Sequence, residues 1–280
     1  MCRFHRRALV PGAGELNVNR MPSIPGFWEG GPHDPIDVEA AWRDFVRLVG
    51  GQVVEDIVPE PRTFENADFF FPAIGVVAEL KEIETEFDRS AAFREGFRSL
   101  IGRVMKEDPS WRPLLLGGSG THPKWFSREL IRLFRPPLSR ILKKGNRQLR
   151  ETKAHFNVST PTGMLVMVND GFTSLEPHFV RALACDLLVN SYSSVDCFLY
   201  MTVNRYVEIK GSNVPRLLWM PSYSESAPDS LVNFVDDLGR KWFDFLETQI
   251  GPFTMPKEEL SQGTSIDLWT RAIVLPGERR

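Results

Sequence analysis

The sequence has few residues of the kinds that bind zinc or form disulfides. Only three cysteines occur among 280 residues, and Cys2, Cys185 and Cys197 form no CxxC pair. The five histidines are equally dispersed. An odd, scattered set of cysteines is typical of free buried thiols in a reducing compartment rather than of a disulfide scaffold. The sequence therefore argues against a structural zinc site and a disulfide framework, and we expect a cytoplasmic protein.

Long apolar runs and a strong net charge are also lacking. No apolar run approaches the roughly 20 residues that a membrane-spanning helix requires, so we expect no membrane association. Residues 1–33 make a poor signal peptide and are expected to form an irregular arm, unless the working chain begins near Met21. Because the net charge is −2 and the pI is near 6.3, any surface for nucleic acid must be a local basic patch.

What is present is the composition of an ordinary globular protein, with 42% hydrophobic and 25% charged residues. A helix is expected to begin at Asp34, an N-cap residue followed by Pro35, and to end at Gly50-Gly51. The pattern then predicts, in order, a short strand at 52–58, a β-hairpin over 68–83, helices over 86–106 and 137–156, a strand over 163–168, a helix over 177–190, strands over 195–203 and 215–220, and a helix over 229–250.

This order predicts an α/β protein, a three-layer sandwich around a mixed β-sheet. We expect one domain over residues 34–250, with a loop-rich insertion at 108–137 and an irregular tail at 251–280. The insertion contains LGGSGTHP at 116–123, which lacks the Lys-Ser/Thr of a Walker loop and the final glycine of G-x-S-x-G, so we interpret it as a turn. Aromatic residues there form a candidate surface for a homodimer or a partner protein: Trp111, Trp125 and Phe126.

The hairpin over 68–83 carries the residues that matter most for function. Side chains alternate along a strand, so Glu79 and Lys81 point to the same side, about 7 Å apart. A loop of even length centred between residues 73 and 74 pairs residues whose numbers sum to 147, which places Asp68 directly opposite Glu79. Two carboxylates and one ammonium group are therefore expected to converge on one face.

This combination of charges points to metal chemistry. Two facing carboxylates repel each other, and burying them without compensation is costly. Mg²⁺ removes that cost, because it prefers oxygen ligands and keeps positions for water and substrate phosphate oxygens. Asp68 and Glu79 are accordingly candidate ligands of Mg²⁺, for which Mn²⁺ can substitute. Lys81 is a candidate catalytic cation that orients the attacking water or stabilises the growing negative charge.

Asp68-x10-Glu79-Leu80-Lys81, on a hairpin that follows a helix, resembles the PD-(D/E)xK nuclease superfamily. The resemblance implies a restriction-endonuclease-like α-β-β-β-α-β core over about residues 36 to 170 and metal-dependent phosphodiester cleavage. Ala67 departs from the pattern at the position of its proline, which is a common departure in so divergent a group. In many members the helix after the hairpin carries a glutamine pointing at the site, and Gln148 is the matching residue. Glu39 matches a glutamate that assists from the first helix in some members.

Two plainer interpretations stand beside this one. About one E-x-K triplet is expected by chance in a chain of this length, and a second occurs at Glu208-Ile209-Lys210, with Asp196 upstream. We favour the first triplet, because a helix and a buried strand follow it as the core requires. The hairpin carboxylates could also be a strand pair that is merely salt-linked to Lys81.

A basic segment supplies a candidate surface for a polyanion. Ten Lys or Arg and two acidic residues lie between Lys124 and Lys153, a local net charge of +8. Residues 143, 147 and 150 recur at helical spacing and can form one ridge next to the metal site, holding phosphates without reading sequence. A solvated helix face explains the same pattern equally well. The candidate nucleic-acid-binding residues are Lys143, Lys144, Arg147 and Arg150.

These observations lead to one functional hypothesis and two alternatives. The leading hypothesis is a Mg²⁺-dependent endonuclease that hydrolyses phosphodiester bonds, with DNA favoured over RNA as substrate. The second is a nuclease-fold protein without activity that serves as a binding or assembly subunit. The third is a hydrolase that acts on a substrate other than nucleic acid. Pathway, cleavage specificity and oligomeric state are not indicated by the sequence.

Overall fold

The computed structural model describes residues 8–11, 33–61, 64–112, 123–157, 161–209, 216–253, 257–260 and 268–273. The chain divides into two compact units, which are described separately below. The larger unit comprises Met1–Thr85 and Leu142–Arg280, and the smaller comprises Glu86–Ile141. In the described part of the chain, no helix is long and apolar enough to cross a membrane.

The larger unit is a mixed α/β structure built on an open, mixed β-sheet. The strands are β1 (Ala8–Pro11), β2 (Gln52–Val53), β3 (Phe69–Phe71), β4 (Val76–Ile83), β5 (Thr162–Asn169), β6 (Cys197–Met201), β7 (Arg205–Ile209), β8 (Trp219–Tyr223), β9 (Lys257–Leu260) and β10 (Leu268–Ile273). Six of them, in the order β2-β3-β4-β5-β6-β8, make the body of the sheet, and β1 and β9 extend it beyond β8. Strands β4, β5 and β6 run parallel, and every other neighbour in this sheet is antiparallel. A separate two-stranded sheet joins β7 to β10.

The described helices are α1 (Val38–Leu48), α2 (Val54–Ile57), α3 (Ala91–Glu107), α4 (Lys124–Phe156), α5 (Pro177–Ser191) and α6 (Asp229–Ile250). Helix α4 contributes residues 124–141 to the smaller unit and residues 142–156 to the larger one. The smaller unit also contains a 3-10 turn at Phe87–Arg89 and all of α3, whose N-cap Ser90 accepts a hydrogen bond from Phe93 N at 3.1 Å.

An aromatic core covers one face of the sheet. The apolar sides of α1 and α6 pack there against alternate residues of β4, namely Val76, Ala78 and Leu80. Trp42 of α1 stacks on Trp242 of α6 with ring centroids 5.0 Å apart. The opposite face is covered by α5 and by the second half of α4, where Gly145 lies against Leu165 of β5. Helices therefore flank the sheet on both sides, as the sequence predicted.

Several elements agree closely with the expectations from sequence, among them β4, β5, α5 and α6. The first helix begins later than expected, because its N-cap is Asp37, whose carboxylate accepts a hydrogen bond from Ala40 N at 2.9 Å. Leu48, the last residue of this helix, is 70% exposed. The strand expected at 52–58 ends after two residues and continues as α2.

The largest correction concerns segment 108–137, which was expected to be rich in loops. Helix α4 begins at Lys124 and runs through Pro136 and Pro137. Proline removes a helical hydrogen bond, but Phe134 and Leu138 are buried beside the pair, and tertiary packing overrides the local propensity. Residues 113–122, which hold most of LGGSGTHP, lie outside the described residues. The expected irregular arm and tail contain strands β1, β9 and β10.

Candidate functional site

The hairpin formed by β3 and β4 has the register expected from the sequence. Phe69 pairs with Ala78 and Phe71 with Val76, so the residue numbers of each pair sum to 147. The turn at residues 72–75 ends at Gly75, whose φ of 66° favours a residue without a side chain. Continuing this register by one residue places Asp68, immediately before β3, opposite Glu79.

Asp68 is fixed at the start of β3 by both neighbouring elements. Its Oδ2 accepts a hydrogen bond from Leu80 N on β4 at 2.8 Å. The preceding residue, Ala67, donates its N–H to Thr152 Oγ1 on α4 at 2.7 Å. These two contacts hold Asp68 and the residue before it against β4 and α4.

Glu79 is completely buried, and one of its two carboxylate oxygens lacks a hydrogen-bond partner among the described residues. Its Oε1 accepts from Lys81 Nζ on the same face of β4. Its Oε2 has no hydrogen-bond partner among the described residues. A buried polar atom without a partner costs free energy unless something else satisfies it. The unpaired oxygen is therefore the strongest sign that the site accepts a ligand.

The two carboxyl groups influence each other's ionisation. Burial, followed by the nearby charge of Asp68, raises the pKa of Glu79 to about 8. Burial also raises the pKa of Asp68, and the hydrogen bond that it accepts from Leu80 N opposes that change. Without a cation the pair thus tends to hold a proton, as two carboxyl groups in one buried site do. The register of β3 and β4 places the two groups opposite each other.

Gln148 lies at the same site, on the second half of α4. Its Nε2 donates to the carbonyl oxygen of Asn66 at 3.0 Å, which ties α4 to the segment that leads into Asp68. Its Oε1 is buried and has no partner among the described residues. Gln148 and Asp68 both line a polar cavity of about 190 Å³. The other residues around that cavity are Glu39, Arg43, Val53, Glu55, Asn66 and Phe69.

The sequence did not indicate two of the charged residues at this cavity. Arg43 donates to Glu39, four residues earlier on α1, and to Glu55 on α2, both at 2.9 Å. The spacing of Glu39 and Arg43 is a signal that sequence inspection can find. Glu55 could not be found this way, because residues 52–58 were expected to form one strand. In the structure Glu55 lies on the short helix α2 instead. The charge of Glu39 adds to the rise in the pKa of Asp68, so Glu39 belongs to the electrostatic surroundings of the site.

The basic ridge lies on the exposed side of α4. Lys143, Lys144, Arg147 and Arg150 are all exposed. Arg147 forms an ion pair with Glu65, and Arg150 lies 3.6 Å from Glu151. The two lysines therefore present positive charge to solvent, while Arg147 and Arg150 are each partly neutralised by a glutamate.

The second E-x-K triplet has a different setting. Glu208 lies in β7, opposite Trp269 of β10 in the two-stranded sheet, and Lys210 lies outside the described residues. Asp196 makes its hydrogen bonds with other residues: its Oδ2 accepts from Lys153 Nζ at 2.9 Å and from Gly163 N at 2.7 Å. Among the described residues, Asp196 is therefore not positioned for the second triplet as Asp68 is for the first.

The residues at the first triplet fit a magnesium ion in type and number. Among the described residues, no group of three or more His, Cys, Asp or Glu side chains forms a closed metal cage. Mg²⁺ is commonly held by one or two carboxylates, with water and substrate phosphates in its other positions. Asp68 and Glu79 supply such a pair, and the unpaired oxygens of Glu79 and Gln148 are oxygen donors of the kind that this ion prefers.

Comparisons with protein-family models, with curated proteins and with solved structures find no match for this chain.

Proposed function

We propose that this chain is a metal-dependent nuclease that hydrolyses phosphodiester bonds, with Asp68 and Glu79 as ligands of Mg²⁺ or Mn²⁺. The observation that carries the proposal is the buried pair of carboxyl groups on β3 and β4, with one Glu79 oxygen unpaired and Lys81 alongside. The elements α1, β2, β3, β4, α4 and β5 follow one another in the order of the α-β-β-β-α-β core of the PD-(D/E)xK superfamily, with β5 parallel to β4, and α2 and α3 are inserted between them. That agreement supports the proposal independently of the motif.

Each residue has a distinct task in this proposal. The bound metal would acidify a water molecule and offset charge on the phosphate. Asp68 and Glu79 hold it, and they do so in the deprotonated state that burial alone disfavours. Lys81 stabilises negative charge on the phosphate or orients the water. Gln148 fixes the backbone before Asp68 and lines the cavity beside it.

The exposed cations of α4 form the surface that binds the phosphates of the substrate in this proposal. Lys143 and Lys144 offer positive charge without any feature that reads base sequence. The cavity beside Asp68 is itself acidic, because Glu39 and Glu55 line it with one arginine, Arg43. A phosphate group is repelled from that cavity until a divalent cation has neutralised the carboxylates. Substrate binding is therefore expected to depend on metal, and the proposal favours DNA over RNA as substrate.

A degradation assay tests the proposed activity directly. The native chain is incubated with plasmid and with labelled oligonucleotides in the presence of Mg²⁺ or Mn²⁺, beside Glu79→Ala and Lys81→Ala variants. A Glu208→Ala variant is the matched control, since it removes the equivalent residue of the second triplet. We expect cleavage by the native chain and the control and none by the two site variants. Equal cleavage by all four proteins would contradict the proposal.

A nuclease-fold protein without activity is the alternative, and metal titration separates the two. Mn²⁺ binding measured by calorimetry should be detectable for the native chain and lost in Glu79→Ala. If the native chain binds no Mn²⁺ and cleaves nothing, the proposed enzyme is wrong and a role in binding or assembly is favoured.

A further inference from the structure

A second cavity lies in the larger unit, where the end of α5 meets β6 and β8. It encloses about 360 Å³, which is within the usual range for sites that bind small molecules. Its lining is mixed, and one wall is apolar, with Leu188 from α5, Val195 just before β6 and Phe198 within it, all buried. An apolar wall in a cavity of this size is suited to a small ring compound.

The polar groups of the cavity limit the charge of a ligand. Asp196 and Glu225 lie in its lining, Asp196 is paired with Lys153 behind the wall, and none of the described lining residues is a lysine, arginine or histidine. The cavity therefore disfavours phosphates and carboxylates. Ser222, also in the lining, is 8% exposed, and its hydroxyl has no hydrogen-bond partner among the described residues. A buried hydroxyl of this kind is satisfied when a ligand supplies a donor or an acceptor.

This cavity is separate from the site at Asp68. Glu79, Leu165, Phe198 and Ser222 lie in one row across β4, β5, β6 and β8, so their side chains share a face of the sheet. Three strand spacings separate Glu79 from Ser222, about 14 Å. Helix α4 crosses this row between them, where Gly145 contacts Leu165. A ligand in one cavity therefore does not occupy the other.

The wall of the second cavity is held in place before any ligand arrives. Asp196 is bound by Lys153 and by the N–H of Gly163, and Ser194 N donates to Asn146 Oδ1 at 3.0 Å. These contacts fasten the segment before β6 to α4 and β5. A pre-formed cavity binds a ligand without the cost of ordering its own wall.

We propose that this cavity binds a small, uncharged ring compound that carries a hydrogen-bonding group, with Ser222 as its polar contact. The site does not depend on the nuclease activity proposed above. Its occupant is defined by an apolar wall, by an unpaired hydroxyl and by a lining that carries carboxylates and no cation.

Two probes of the same shape test this assignment. Benzyl alcohol and benzoate differ mainly in charge, and their binding to the native chain is followed by ligand-observed NMR and by the melting temperature. We expect benzyl alcohol to bind and benzoate to show no binding at the same concentration. Binding of neither probe, or equal binding of both, would overturn the proposal.

Two variants locate the binding. Ser193 lies at the cavity and is exposed, so Ser193→Trp should block the opening while the fold is retained. Ser99→Trp, at an exposed position on α3, is the matched control. We expect Ser193→Trp to abolish binding of benzyl alcohol and Ser222→Ala to weaken it about threefold to tenfold, the value of one hydrogen bond. Unchanged binding to Ser193→Trp relative to Ser99→Trp would show that the probe binds elsewhere.

Discussion

Two buried acidic residues of the same sheet, Asp170 and Glu79, have opposite hydrogen-bonding environments. Asp170 follows β5, and its two carboxylate oxygens accept from Val203 N at 2.9 Å and Asn204 N at 2.7 Å. Glu79, in the middle of β4, accepts from Lys81 alone, and its other oxygen has no partner among the described residues. Burial raises the pKa of both groups, to about 6 for Asp170 and to about 8 for Glu79.

The difference separates a structural carboxylate from a candidate ligand. Asp170 has its acceptors filled by backbone N–H groups, so it holds together the turn that leads into β7. Glu79 faces the carboxyl group of Asp68, and its own Oε2 has no hydrogen-bond partner among the described residues. This arrangement is unfavourable for the metal-free protein. Burial alone therefore does not identify a functional acid. The number of acceptors that the protein itself leaves open is the better guide.

The largest expected effect is on catalysis. Glu79→Gln should lower cleavage at least about 100-fold, because it removes a metal ligand while keeping the shape of the side chain. Asp170→Asn should leave the turnover of the folded fraction unchanged, since Asp170 touches no part of the site. Single-turnover cleavage of a labelled duplex, corrected for the folded fraction by circular dichroism, checks both. A comparable loss in Asp170→Asn would remove the distinction between the two acids.

Stability should respond in the opposite way. Asp170→Asn should lower the free energy of unfolding by about 1–3 kcal/mol, because one backbone N–H loses its acceptor. Glu79→Gln should leave the stability of the metal-free protein unchanged or raise it, because it removes the repulsion with Asp68. Urea unfolding in the presence of EDTA measures both variants. A clear loss of stability in Glu79→Gln would mean that Glu79 is structural.

The dependence of stability on pH distinguishes the two groups further. Each is a carboxyl whose folded pKa is raised, so the native state keeps a proton that the unfolded chain releases. Stability therefore falls as pH rises from about 4.5, by up to about 1.4 kcal/mol per pH unit for each proton. The contribution of Asp170 ends near pH 6 and that of Glu82, whose pKa is raised to about 7, ends near pH 7. Above pH 7 the decline belongs to the coupled pair of Glu79 and Asp68, whose pKa values are both raised, and Glu79→Gln should flatten it in metal-free urea titrations.

The smallest expected effect is that of replacing Gln148, which tests whether this residue lies at the metal site. Gln148→Ala removes the hydrogen bond to Asn66 and the Oε1 that has no partner within the described chain. We expect a loss of about 1 kcal/mol of stability and weaker binding of Mn²⁺ by calorimetry. Arg147→Ala, one residue away on the exposed side of α4, is the matched control and should leave Mn²⁺ affinity unchanged. An equal loss of affinity in both variants would assign the effect to the helix as a whole.

The hairpin could be predicted from the sequence because the residues that define it are close together in the chain. A Pro/Gly turn and two short apolar runs define the register, and the register alone brings Asp68 to Glu79. The basic residues of α4 were similarly accessible from their helical spacing. The function suggested by the resemblance remains a proposal.

The remaining features depend on contacts that sequence patterns do not show. Pro136 and Pro137 suggested a helix boundary, and only the burial of their neighbours explains why α4 continues through them. The pairing of Arg43 with Glu55 depends on where α2 begins. Asp34 and Asp37 are both acceptable caps by residue type, and backbone geometry decides between them. Strand β1 is short and finds its partners β8 and β9 more than 200 residues further along the chain.

One consequence follows from Gly145, where α4 passes over Leu165. Alanine is ordinarily a more stable choice than glycine within a helix, by about 0.5–1 kcal/mol. At Gly102, in α3, an added methyl group would meet nothing within 4 Å, and the exchange should strengthen the helix. At Gly145 the same methyl group would lie 2.7 Å from Leu165 Cδ1 and 3.7 Å from Glu79 Cγ. Replacing glycine by alanine to improve thermostability should thus succeed at Gly102. At Gly145 the same replacement should displace α4 from its position over Leu165 and Glu79.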